Sequence, residues 1–313
     1  MPLVSEPMCV ERDAPIPTWF GVGGRAERLA RPATIDDLRR CVESDPRLRV
    51  LGDGANLLVD DSGVAELVVV LGGDLAGVRW SESKQSTATT DQSPVVVRVG
   101  AAAKLSRLIL EAGRRGFGGL EGLGGIPATV GGAAVMNAGG RFGQIGDTVV
   151  RVHAIDRSGG VHAIDRDDIE FAYRSSGLDG LIITAVDLRL SPSDPATLRD
   201  RLRDVMAYKK STQPLADRSA GCAFRNPTLT SDLDGVGRRG ERVSAGRLID
   251  LAGCKGLCVG GAEVSRAHGN FLVAHAGAAA RDVIALMDQV RRWVQDAFGV
   301  ELEREVVVWS RES

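Results

Sequence analysis

GFGGLEGLGGIPATVGGAAVMNAGGRFG, residues 116–143, holds eleven glycines in twenty-eight positions, together with one proline, one carboxylate and one asparagine. Glycine loses more conformational freedom on folding than any other residue, so such density marks backbone that must approach something closely or turn through positive φ. Phosphate is the usual object of amide-lined concavities of this kind. A flexible linker of similar glycine content is polar and rich in serine. Here Leu120, Leu123, Ile126, Val130, Val135 and Met136 are interleaved, which argues against a linker.

Outward from this stretch the pattern is α+β. Leu105, Leu108, Ile109 and Ala112 repeat at helical spacing just before it, with Gly113 as the stop. Strands are expected at 95–99 upstream and at 149–155 and 181–190 downstream. Nearer the start, Ile35, Leu38, Cys41 and Val42 form a helical stripe behind Thr34, a candidate N-cap. Short strands are expected at 49–51, 57–59 and 67–71. The polar run SESKQSTATTDQSP, 81–94, reads as a surface loop, either a hairpin or a domain seam. A second polar break, SPSDPAT, opens a third region. Its clearest element is a helix with Val283, Leu286, Met287, Val290, Val294 and Phe298 on one face, ended by Gly299. REVVVW closes the chain as a strand. The expected domains are 1–75, rejoined by 300–313, then 76–192, and finally 193–299.

A second glycine turn, LGDGANLL at 51–58, lies about sixty residues before the first. Neither turn is a dinucleotide fingerprint of the form G-x-G-x-x-G or a P-loop ending in G-K-[ST], so both common nucleotide folds are disfavoured. Two separate amide-rich turns suit a diphosphate that bridges two larger groups.

Bulk properties set wide limits. The 313 residues are 43% hydrophobic and 26% charged, enough for two or three domains with real cores. A net charge of −2 gives no basic field for nucleic acid or anionic lipid. The opening MPLVSEPMCVERDAP lacks the basic and apolar regions of a secretory signal, and no twenty-residue apolar span follows, so a cytoplasmic protein is expected. Five cysteines without framework spacing fit reduced thiols, and Cys254 and Cys258 lack the further ligands that a zinc site needs.

LGDGANLLV, GLEGLGGIPATVGGAAVMNAGG, YRSS, SAGCAFRNP and LEREV occur in that order from about residue 18 to about 307. With these five motifs the chain resembles the UDP-N-acetylenolpyruvoylglucosamine reductase (UDP-N-acetylmuramate dehydrogenase) family. The segment after Tyr173 runs quickly to a strand, as in the shorter version without an extra tyrosine loop. The resemblance implies an FAD-binding fold like that of vanillyl-alcohol oxidase, built of two α+β subdomains, plus a C-terminal α+β domain that closes over substrate. It implies FAD contacts at Leu51, Gly52, Asp53, Gly54, Ala55, Asn56 and Leu57, and at Gly124, Gly125, Ile126, Pro127, Ala128, Thr129, Gly131, Gly132, Ala133, Asn137, Ala138 and Gly139. The implied activity is reduction of UDP-N-acetylglucosamine enolpyruvate by NADPH to UDP-N-acetylmuramate, a step of peptidoglycan precursor synthesis.

That chemistry makes demands on side chains. Hydride addition to the β-carbon of an enol ether conjugated to a carboxylate puts negative charge on that carboxylate, and a cation or donor must meet it. A proton donor must then reach the α-carbon. By resemblance Arg174 stabilises the charge, position 222 donates the proton, and Glu305 supports the carboxylate. Tyr173, Lys210, Arg225 and Asn226 are the substrate-binding candidates, with Lys209 beside them. Each has a plainer reading: Arg174 as a surface arginine, Glu305 as one of three carboxylates with Glu301 and Glu303 on a solvated strand face, Lys209 and Lys210 as an ordinary helix end. His268 and Asn270, in SRAHGNF, are expected to give a supporting hydrogen bond.

Three departures from the family stand out. Position 222 is cysteine where serine is usual, Arg225 replaces lysine, and TWFGVGG puts Trp19 and Gly21 where smaller or polar residues are usual. A thiol with a reference pKa of about 8.5 is a stronger acid than an alcohol and remains mostly protonated at neutral pH, so proton donation by Cys222 is chemically sound. A small buried hydrophobe is its other reading. Two alternatives to the reductase therefore stay open, a sugar or alcohol oxidase on the same flavin fold and a flavin- or UDP-sugar-binding protein without turnover. Oligomeric state is left open.

Overall fold

The computed structural model describes residues 9–81 and 93–311, which divide into two compact units. One comprises residues up to Ala14, Glu27–Asp53 and Glu66–Tyr208, the other Pro15–Ala26, Gly54–Ala65 and the chain from Lys209.

In the first unit α1 (Ile35–Ser44) forms where the stripe of Ile35, Leu38, Cys41 and Val42 places it. Thr34 accepts from the Asp37 N–H at 3.1 Å while Asp37 accepts from the Thr34 N–H at 3.0 Å, a reciprocal box that satisfies two of the orphan donors at the helix start. Leu38, Cys41 and Val42 pack with Leu48, Leu67 and Val69 beneath a sheet in the order Val10–Pro15, Arg25–Ala30, Val64–Val69, Arg49–Val50.

The larger sheet runs Val161–Asp165, Val149–Ile155, Ile182–Pro192, Val95–Gly100, Val78–Trp80, antiparallel throughout. Val95, Val97 and Val99 are buried while Arg98 between them is exposed, the period of two that one covered face demands. The flanks of the polar run at 81–94 pair as an antiparallel ribbon, Val78 opposite Val99 and Trp80 opposite Val97, whereas residues 82–92 themselves lie outside the described residues. Arg98 and Asp187 face each other in register and form a bidentate pair of 2.7 and 2.9 Å, with His153 Nε2 at 2.9 Å from the same carboxylate. α2 (Leu105–Arg114) buries Leu105, Leu108, Ile109 and Ala112 in the core beneath this sheet, which α3 (Val130–Val135) shares.

α4 (Pro195–Thr212) was foreshadowed only at its end, by the plainer reading of Lys209 and Lys210 as a helix end. Only Leu198 and Val205 of its eighteen residues are buried, so it carries no apolar stripe for periodicity to reveal. Its start is nevertheless well specified: Pro195 occupies the first helical position, and Asp194 accepts from the Thr197 N–H at 2.8 Å.

The second unit holds α5 (Ala245–Leu251), a ribbon of Cys258–Val259, Ala262–Val264 and Leu272–Ala274, and α6 (Ala280–Phe298). α6 buries Val283, Leu286, Met287, Val290 and Val294 and ends at Gly299, whose φ of 67° is the left-handed C-cap expected of it. Its first amides are capped from far away in sequence, since Asp61 accepts from the Ala280 and Arg281 N–H groups at 2.9 and 3.0 Å. The C-terminal strand Val307–Trp309 pairs in parallel with Leu57–Val59. Among the described residues no helix is long and apolar enough to cross a membrane.

Candidate active site

In the first unit the glycine-rich stretch is threaded through hydrogen bonds along its length. Phe117–Gly118 pairs with Pro192 and Ser191, and Gly125 passes through left-handed backbone at φ 73°. Val130 and Gly131 donate to Ala103 O and Ala101 O, both at 2.9 Å, and Thr129 caps α3 by accepting from the Gly132 N–H at 3.3 Å. A β-carbon at Gly131 would lie 2.7 Å from Ala101 Cβ, so glycine is what lets the start of α3 lie against that segment. The lone carboxylate, Glu121, is drawn inward. Burial pushes its pKa up, but bonds from the Gly119 N–H at 2.7 Å and Arg201 at 3.1 Å outweigh that and hold it below the ordinary value.

The two glycine turns adjoin. A β-carbon built on Gly52 would sit 3.0 Å from Thr129 Oγ1, and Asp53 pairs with Lys104, whose backbone bridges to Thr129. Gly52 itself is outside the left-handed region, so its glycine answers to space rather than to φ: a side chain there would fill the gap between the turns.

Arg174 stands beside the far end of the same stretch. It occupies a tight turn in which Ala172 N–H donates to Ser175 O at 2.9 Å and Ser175 N–H returns to Ala172 O at 3.2 Å. Its φ is 56°, a left-handed conformation that costs a residue with a β-carbon about 1–2 kcal/mol. The guanidinium donates to Gly139 O at 2.8 Å and lies over the Tyr173 ring at 5.4 Å, so Tyr173 and Arg174 form one half-buried unit. The side chain of Asn137 is taken up inside the protein, and what that position offers a ligand is backbone.

The segments that carry Cys222 and Glu305 lie side by side in the second unit. Glu305 N–H donates to Ala223 O at 2.8 Å, Arg225 N–H to Glu303 O at 2.9 Å, and on the other side Ala223 N–H donates to Asn270 O at 2.8 Å. The SAGCAFRNP segment is thus stitched between the 270–272 and 303–305 segments. Asn270, 2% exposed, completes the stitch with its side chain: Oδ1 accepts from the Phe224 N–H at 2.9 Å and Nδ2 donates to Phe224 O at 2.8 Å. His268 Nδ1 accepts from the Asn270 N–H at 3.1 Å, and burial lowers the His268 pKa, which keeps that nitrogen an acceptor. The supporting role expected for both residues is therefore visible. Asn56 joins the same assembly, donating from Nδ2 to Glu305 O at 3.0 Å. Gly54, at φ 64°, receives the Trp19 N–H on its carbonyl at 3.1 Å. Cys222 is half-buried, whereas Cys41 and Cys254 are buried and desolvation pushes both thiols up to about 11.

The substrate-binding candidates are more dispersed. Arg225 pairs with Glu303 at 3.1 Å, and Asn226 Oδ1 accepts from the Ala245 N–H at 3.0 Å at the start of α5. Lys210 is exposed in the last turn of α4, the ordinary solvated position of a lysine. Two contacts escaped the sequence reading. Glu303, read only as one of three carboxylates on a solvated face, is the partner of Arg225, and Ser176, the second serine of YRSS, is buried with Oγ donating to Val135 O at 2.8 Å.

Residues 26–165 match the FAD binding domain family, and residues 213–309 match the family described as UDP-N-acetylenolpyruvoylglucosamine reductase, C-terminal domain. The UDP-N-acetylenolpyruvoylglucosamine reductase of a Bradyrhizobium strain is 39% identical over 293 residues, covering 92% of this chain and 88% of that protein. The chain belongs to the UDP-N-acetylenolpyruvoylglucosamine reductase family. The reductase of Moorella thermoacetica is likewise 39% identical over 302 residues, 93% of this chain and 90% of that one. The crystal structure of the Thermus caldophilus enzyme superposes with a TM-score of 0.77 at 39% identity, over 96% of this chain and 99% of that one. The fold is accordingly the α+β architecture expected, an FAD-binding domain followed by a C-terminal α+β domain, and the protein is an FAD-dependent oxidoreductase that takes its electrons from NADPH. The first unit suits FAD on its own geometry: in this unit Leu51–Asp53 and Gly124–Gly139 would hold it, with Gly52 leaving clear the space between the turns.

Proposed function

We propose that this enzyme reduces the enolpyruvyl ether of UDP-N-acetylglucosamine enolpyruvate to UDP-N-acetylmuramate, with Arg174, Cys222 and Glu305 as its catalytic residues. When bound, FAD supplies a hydride to the substrate's β-carbon after receiving one from NADPH. The charge this leaves on the substrate carboxylate is met by the Arg174 guanidinium, held in place by Gly139 O and the Tyr173 ring. Cys222 gives its thiol proton to the α-carbon. Glu305, carried on the backbone bonded to Ala223, supports the carboxylate end as a neutral carboxylic acid that donates a hydrogen bond to it. Arg225 and Lys210 are the cations assigned to the substrate diphosphate, and an arginine at 225 can fork to two phosphate oxygens where a lysine offers a point charge. A nucleotide substrate and NADPH, both cytoplasmic metabolites, support a cytoplasmic location.

The observation that carries the reading is the adjoining of the two glycine turns at Gly52 and Thr129. It is tested by following NADPH oxidation anaerobically with and without UDP-N-acetylglucosamine enolpyruvate. Stoichiometric oxidation that requires the enolpyruvate supports the reductase. Oxidation that ignores it, or that needs oxygen, overturns the assignment.

A further inference from the structure

We propose that Asn137 is the positioning residue for Arg174, an inference that rests on the catalytic role given to Arg174 above. Asn137 lies just beyond α3, 1% exposed and at φ 41°. Its Nδ2 donates both to Gln144 Oε1 at 3.1 Å and to Ala172 O at 2.9 Å, and its Oδ1 accepts from the Gly146 N–H at 3.1 Å. Both donors of the amide are occupied by protein, which leaves it a mechanical rather than a ligand-binding part.

What it holds is the turn that carries Arg174. That turn is pegged to the glycine-rich stretch at three points: Ala172 O by Asn137, the Arg174 guanidinium by Gly139 O, and Ser176 Oγ by Val135 O at 2.8 Å. Arg174 is in left-handed backbone, a conformation that persists only where the surroundings over-determine it. The Asn137 bond to Ala172 O is made at the residue whose backbone closes the turn on both sides, so it sets where the turn sits and hence where the guanidinium points. Gln144 is in turn fixed by Asp147, which receives its Nε2 at 3.1 Å and its backbone N–H at 3.1 Å. The anchor of Asn137 is therefore itself anchored.

The experiment compares holoenzyme variants Asn137→Gly, Ser176→Ala, Arg174→Met and the double variant Asn137→Gly/Arg174→Met. Glycine accepts the left-handed φ and removes only the side chain. Flavin content, thermal midpoint, flavin reduction by NADPH and the single-turnover rate of substrate reduction are measured for each. Asn137→Gly is expected to keep its flavin and its reduction by NADPH while slowing substrate reduction about 10- to 100-fold, the scale of a misplaced catalytic group. It is expected to add nothing to Arg174→Met in the double variant, the non-additivity of residues acting through one another. Independent, additive effects overturn the inference, as does loss of flavin with an unchanged rate in the molecules that retain it. Should Asn137→Gly fail to fold, Ser176→Ala decides: slowed substrate reduction at normal flavin reduction supports the peg, and an unchanged rate refutes it. Full substrate reduction by Arg174→Met would instead remove the catalytic role of Arg174, a separate failure.

Discussion

Cys222, the proton donor proposed above, makes a direct kinetic prediction. Cys222→Ser is expected to keep substantial turnover. Cys222→Ala is expected to leave flavin reduction by NADPH intact while slowing substrate reduction about 10²- to 10⁴-fold, the usual contribution of a general acid; stopped-flow absorbance of the flavin in each half-reaction separates the two. Asn270 makes a different prediction because its amide replaces a strand partner for Phe224. Asn270→Ala leaves a buried N–H and a buried C=O unpaired and is expected to cost about 2–4 kcal/mol in denaturant unfolding. A cost under 1 kcal/mol would mean that water replaces the amide. Arg174, Cys222 and Glu305 were singled out in the sequence by the resemblance of their motifs, and their roles stand as the proposal above. The pairing of Arg225 with Glu303 was not legible there, since strand parity leaves three carboxylates equivalent until the 303–305 segment is laid beside 223–225.

Among the elements, α1 is the one most completely written in local sequence. Thr34→Ala removes one half of its capping box and is expected to cost about 1 kcal/mol, read by thermal or chemical unfolding, with no change in turnover. Asp61 is the contrasting case, an acceptor for the first N–H groups of α6 that comes from more than two hundred residues away. Asp61→Ala is expected to cost about 1 kcal/mol as well, since two helix N–H groups lose their acceptor. Local patterning announced α1, α2 and α6 because each buries a regular stripe. Of α4 it offered only the end, at Lys209 and Lys210, because the helix buries two residues and owes its start to Pro195 and Asp194.

For the molecule as a whole, acid stability is the property the charges decide. Burial opposes ionisation of Asp187, but its bonds from Arg98 and His153 prevail and hold its pKa below the usual carboxylate range. A carboxylate with a lowered folded pKa contributes stability in full above the unfolded value of about 4 and loses it as pH falls through the folded value. Glu121 and Asp45 are lowered in the same sense, each with burial opposing and hydrogen bonds prevailing. Unfolding free energy is therefore expected to fall steeply below pH ~4, and Asp187→Asn to flatten that fall while lowering stability at pH 7. An acid limb with the same slope in both proteins would show that Asp187 is not among the groups responsible.

Sequence by itself determined the glycine-rich backbone, the caps and stripes of the regular helices and the alternation of the central strands. Each of these is set by neighbours a few positions away, through φ preferences, side-chain period or the chemistry of a single group. Only the tertiary structure decided that Gly52 lies against Thr129, that Asn270 and Glu305 flank the Cys222 segment, that it is Leu57–Val59 within 1–75 that the last strand joins, and that Asn137 grips the turn of Arg174. These are pairings between residues tens to hundreds of positions apart, and a hydrogen bond or a close approach across such a span leaves no periodic trace in either partner.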